Sequence, residues 1–84
     1  MNHFASPEFW QAYEKLPKTN RDLADRNFAR LTVDSHHPSL HFKQAGRFWS
    51  VRVGLHFRAL GVRDGDDLVW FWIGSHAEYD RLLR

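Results

Sequence analysis

Residues 47–80 read RFWSVRVGLHFRALGVRDGDDLVWFWIGSHAEYD, and this stretch decides the fold. From Phe48 the texture has period two. Trp49, Val51 and Val53 fall on one face, with Ser50 and Arg52 on the other. After Gly54, "LHFRALGV" repeats the pattern as a second strand that carries His56 and Arg58. "RDGDD" contains Asp-Gly, a strong short-range hairpin signal. "LVWFWIG" is apolar on both faces, as an interior strand should be. On regular alternation Trp70 and Trp72 share a face, placed to pack on helices. Ser75 with Glu78 three residues later makes a capping box. A short last helix therefore starts at His76, with Tyr79, Leu82 and Leu83 as its buried stripe.

Upstream the period changes to that of helices. Ser6 is suited to cap a first helix whose first position is Pro7. Phe9, Trp10, Tyr13 and Leu16 form its stripe, and Pro17 ends it. A second helix is expected at roughly residues 20 to 32, with Leu23, Ala24, Phe28 and Leu31 on its apolar side. The short connection implies an antiparallel helical hairpin. "SHHPSLHFKQAG" (residues 35–46) reads as loop, with a short strand at Leu40 to Lys43. Helices before strands imply an α+β fold. The expectation is one domain over residues 1–84: a helical hairpin packed on a curved antiparallel sheet of three to four strands, then a short helix.

Length and composition narrow the function classes. Eighty-four residues fit one domain, and 15% aromatic content helps a small core. No cysteine is present, so disulfides and thiolate metal sites are excluded. No run approaches a membrane span, and the start lacks a signal-peptide pattern. These features predict a soluble cytoplasmic protein. Phosphate-loop, G-x-S-x-G and H-E-x-x-H signatures are absent, so no metal and no cofactor is expected.

The net charge of +2 hides an asymmetry. Between Asp34 and Asp64 there is no acid. That segment holds Lys43, Arg47, Arg52, Arg58 and Arg63, together with His36, His37, His41 and His56. Arginine outnumbers lysine nine to three, and its planar fork suits phosphate. The plain alternative is a solvated sheet face, or arginines paired with neighbouring aspartates. If Arg52 and Arg58 share a face, with His41 and Lys43 at its rim, they can grip a phosphate and stabilise charge developing on it. His76 at a helix start is placed for acid–base work beside such a pair. Phe48 and Trp49 are candidates for stacking on RNA bases only if they face solvent.

The stretches "HPSLHFK", "FWSVRVGLHFRALG" and "VWFWIGSHAEYDRLL" together resemble the RelE/ParE superfamily, the small toxins of bacterial type II toxin–antitoxin modules. The resemblance covers roughly residues 8 to 83, and "IGxHxxY" after the basic strand pair is its most specific part. It implies the same helical hairpin on a sheet, with a first strand before the hairpin that is missing or very short here. It also implies a cognate antitoxin as partner and one of three roles. A RelE-like toxin is a metal-independent endonuclease that cuts mRNA on the ribosome. A ParE-like toxin poisons DNA gyrase without cutting RNA. A degenerate module only binds its antitoxin. In the RelE-like case the resemblance carries catalytic roles to Arg58, Arg52 and His76. It carries RNA- or phosphate-binding roles to Lys43, His41, Arg47 and Tyr79. The glutamate base of some members has no counterpart in "HPSLHFK".

Overall fold

The computed structural model describes residues 1–83. The meander forms as read: β3 (Phe48–Val53), β4 (Phe57–Asp64) and β5 (Asp67–Ser75) pair antiparallel in order. The β4–β5 loop is Gly65–Asp66, and Gly65 takes φ +61°, the conformation a two-residue hairpin asks of its first position. Upstream lie α1 (Pro7–Glu14), α2 (Lys18–Val33) and a short 3-10 turn (Pro38–Leu40). The last helix is α3 (His76–Leu82).

Two further strands complete the sheet. β2 (Lys43–Ala45) pairs antiparallel with β3. β1 (Asn2–Ala5) pairs parallel with β5, from Asn2 opposite Asp67 to Ala5 opposite Trp70. The described residues thus form five strands in the order β1-β5-β4-β3-β2, one more than the upper expectation. The first strand is present, though only four residues long. "NHFA" is too short for its alternation to stand out. What marks it is a long-range bond: the Trp70 indole Nε1 donates to His3 Nδ1 at 3.2 Å, with the two rings stacked. The Ser6 N–H then donates to the Trp70 carbonyl at 2.9 Å, turning the chain into α1.

This bond makes β1 sensitive to acid. Burial holds the His3 pKa below its ordinary 6.5, and the N-terminal charge adds to the effect. A protonated Nδ1 cannot accept from Trp70. The unfolded chain takes up the proton first. The stability linked to His3 is therefore complete above about pH 6.5 and is lost as pH falls through the lower folded value. The thermal midpoint of wild type should fall more steeply than that of His3→Asn as the pH is lowered from about 7 to 5. Parallel slopes would remove His3 from this role.

The helical hairpin covers one sheet face. Leu16, Ala24 and Leu31 close over Val51, Val53, Ala59, Trp70 and Ile73, all buried. Ser6 caps α1, its Oγ accepting from the Phe9 N–H. Helix α2 begins two residues earlier than expected, directly after Pro17, whose fixed φ suits a helix start. Asn27 of α2 is buried and donates to the Arg52 carbonyl at 3.3 Å, tying the helix to β3.

Several apolar assignments need correction. Trp10 and Phe28, read as core-facing, are half exposed, because they line an open apolar groove between the helical hairpin, β1 and the sheet. Leu82 and Leu83 are exposed, since α3 packs on β4 and β5 through Tyr79, its one buried residue. The strand expected at Leu40–Lys43 begins only at Lys43. Pro38 starts a 3-10 turn instead, closed by the Ser39 N–H donating to His37 Nδ1.

Trp70 and Trp72 do not share a face. The β4–β5 register pairs Gly61 with Trp70 and Leu60 with Trp72, leaving Phe71 as an extra residue, a β-bulge. Residues directly opposite one another in a ladder share a face. The bulge therefore keeps Trp70 and Ile73 towards the helices. It turns Trp72 to the opposite face with Leu60 and Ser50.

Candidate functional site

The face opposite the helical hairpin carries the basic residues. Arg52 and Arg58 are direct cross-strand partners of β3 and β4. Like charges in that position repel, so their side chains must be held by something else. Arg58 is 5% exposed. Its Nε donates to the buried Ser50 Oγ at 2.8 Å and its Nη2 to the His41 carbonyl at 3.3 Å. Its guanidinium lies 5.1 Å from the Tyr79 ring centre, a cation–π contact. Burial lowers the Arg58 pKa. Tyr79 opposes that shift and Arg52 adds to it, but a guanidinium stays charged in a protein.

Arg52 is fixed by its Nε to the Gly54 carbonyl at 2.9 Å and by Nη1 to His41 Nε2 at 3.2 Å. A guanidinium only donates, so His41 Nε2 is the acceptor and its ring proton sits on Nδ1. His41 thus serves both arginines, one through its carbonyl and one through its ring. It is also the only non-glycine residue among those described with positive φ, at 46°. Such backbone persists where surrounding contacts over-determine it, and the two arginine bonds supply them.

Neither arginine pairs with a carboxylate. The ion pairs among the described residues are Lys18–Asp22 and His76–Asp80. The alternative in which each Arg is neutralised by a nearby aspartate does not occur.

His76 opens α3. The capping box is complete: Ser75 Oγ accepts from the Glu78 N–H, and the Glu78 carboxylate accepts from the Ser75 N–H. The His76 N–H donates to the His56 carbonyl at 2.7 Å, which ties α3 to the β3–β4 turn. Its ring is half exposed, with Nδ1 3.2 Å from Asp80 Oδ2, and lies 5.6 Å from the Tyr79 ring. Tyr79 therefore links His76 to Arg58. It is itself buried, so it acts from beneath the arginine.

Lys43 lies opposite Ser50 and is exposed, at the edge of the same cluster. Arg47 is not brought together with it. Its guanidinium stands over the Phe48 ring at 5.2 Å, at the far end of β3 from Arg52. Among the described residues no group of three or more His, Asp or Glu could hold a metal ion, and no helix is long and apolar enough to cross a membrane. The sequence places Ser50 on the Arg52 face but gives neither Ser50 nor Asp80 a part in the site. The signals were the alternation that puts Ser50 beside Arg52 and the i,i+4 spacing of His76 and Asp80.

Comparison with known proteins shows the family and the fold. The model of a ParE-like toxin domain matches residues 18–81, and the chain belongs to that family, within the RelE/ParE superfamily of toxins. A chain of the RelB-RelE antitoxin–toxin complex from Methanococcus jannaschii superposes with a TM-score of 0.74 at 12% identity, covering 96% of this chain and 99% of that one. A YoeB/ParE toxin from Agrobacterium tumefaciens gives 0.67 at 13% identity, covering 90% and 99%. The isolated E. coli RelE toxin gives 0.64 at 7% identity, covering 96% and 94%. At these identities the likeness is one of fold. No curated protein matches by sequence.

Proposed function

We propose that this toxin is a RelE-like, ribosome-dependent mRNA endonuclease of the cytoplasm, held inactive by a cognate antitoxin. The observation that carries this reading is the unneutralised pair Arg52 and Arg58, locked side by side through His41, with His76 one aromatic ring away. Two fixed cations, neither paired with a carboxylate, form a receptor for a phosphodiester whose negative charge grows in the transition state.

In the proposed step the ribose 2′-oxygen attacks the adjacent phosphorus. A 2′-O–P bond forms as the P–O5′ bond breaks, giving a 2′,3′-cyclic phosphate and a 5′-hydroxyl. The 2′-hydroxyl proton is given up and the leaving 5′-oxygen gains one. His76 serves this proton transfer. Asp80 engages Nδ1, which leaves Nε2 as the reactive nitrogen. Arg52 and Arg58 hold the non-bridging oxygens, and Tyr79 positions Arg58. Lys43 and His41 border the phosphate site, while Arg47 meets RNA further along the sheet. The scheme draws on no metal or cofactor. The ribosome supplies substrate alignment, so the toxin works from an open face.

Gyrase inhibition is the second reading, favoured by the ParE-like family model; it needs no proton-transfer residue. A purified translation reaction programmed with a defined mRNA, its ends mapped by primer extension, separates the two. New ends that depend on both toxin and ribosomes are the expected result. Intact mRNA with demonstrably folded toxin overturns the proposal, and gyrase-dependent DNA breaks in a parallel reaction would replace it.

A further inference from the structure

The bulge at Phe71 does more than re-aim one tryptophan. It sets two consecutive aromatic residues side by side on β5, the unpaired Phe71 and Trp72, which lies opposite Leu60. The Phe71 ring lies 5.3 Å from that of Phe48. Phe48 is on the face opposite the helices, since its neighbour Trp49 packs against the core. Trp72 leans along its own strand: a Cβ on Gly74 would come within 2.4 Å of its Cζ2. Only glycine admits the indole there, and Gly74 is the cross-strand partner of Arg58. The indole thus reaches the row that holds Arg52 and Arg58. Phe48, Phe71 and Trp72 are each partly exposed, and none belongs to the core beneath the helices.

Charge on this face is positive except at the β4–β5 hairpin end, where Asp64 lies opposite Asp67. The residues that share it on β2 to β4, from Lys43 to Val62, include no acid. On β5 the only acid is Asp67, at the hairpin end. Aromatic rings beside fixed cations on an open sheet suit single-stranded nucleic acid: bases stack on the rings while the backbone meets the cations.

We propose that Phe71, Trp72 and Phe48 form a base-stacking platform for single-stranded RNA, continuous with the Arg52–Arg58 phosphate site. This rests on the mRNA reading above and adds the residues that hold the bases flanking the cleaved bond. Stacking is sequence-tolerant, so the platform supplies grip and alignment rather than a strict base code.

The test compares two uncleavable probes on the purified full chain at low salt: a 2′-O-methyl uridine hexamer and an abasic hexamer of the same backbone. Wild type should bind the base-bearing probe roughly tenfold more tightly. Phe71→Leu and Phe48→Leu should each remove most of that preference and leave abasic binding unchanged. Arg52→Gln should weaken both probes alike. Equal binding of the two probes by wild type, or an undiminished preference in both leucine variants, overturns the platform and gives this face to a protein partner instead. The ribosome assay fails independently. Cleavage without base preference keeps the endonuclease and removes the platform. Base preference without cleavage keeps the platform and removes the endonuclease.

Discussion

Arg58→Lys is expected to slow ribosome-dependent mRNA cleavage by about 10²- to 10³-fold while leaving the protein folded. Lysine keeps the charge and most of the stem. It cannot reproduce a planar fork that donates at once to Ser50 and to the His41 carbonyl. The expected loss corresponds to about 2.7–4 kcal/mol of transition-state stabilisation, the scale of one preorganised donor. Arg58→Ala is a poorer test, because it strands the fully buried Ser50 hydroxyl and empties the space over Tyr79. That confounds chemistry with a destabilisation of about 1–3 kcal/mol. The measurement is single-turnover cleavage on programmed ribosomes, with folding checked by circular dichroism. A lysine variant within a few-fold of wild type would end the case for Arg58 at the scissile phosphate.

Trp70→Ala should carry the largest stability cost, about 3–5 kcal/mol. Trp70 is 2% exposed, packs with the helical hairpin, and donates the bond that holds His3. Small domains hold about 0.05–0.15 kcal/mol per residue, so this loss takes much of the total. Trp72→Ala, two residues on, should cost well under half as much, because the bulge places its ring on the open face. Urea midpoints at unchanged slope measure both. Equal costs would contradict the assignment of the two rings to opposite faces.

The meander and the capped last helix were legible because their signals are local. Alternation from Trp49 to Val53, Asp-Gly at the turn and the Ser75–Glu78 spacing each act over a few residues, and the structure honours them. What stayed hidden depends on distant partners. β1 becomes a strand only because β5 offers it an edge 65 residues away. The Phe71 bulge arises from the register against β4, which β5 alone does not encode. The site follows the same rule. Residue types and the acid-free interval pointed to Arg52, Arg58, His41 and His76 as a set. That Arg58 would be buried on Tyr79, that Ser50 would fix it, and that Arg47 would stand apart over Phe48 needed three dimensions.

The parallel pairing of β1 with β5 also bears on the order of assembly. β5 is joined to β4 by a two-residue loop, whereas its other neighbour must close a loop of 65 residues. By logarithmic loop scaling the second closure costs on the order of 3 kcal/mol more entropy. The β4–β5 hairpin therefore forms early and β1 docks late. Until it docks, β5 presents an open edge, the kind of surface that recruits other chains. A refolding experiment should accordingly find the stacking of His3 on Trp70 among the last native contacts to appear.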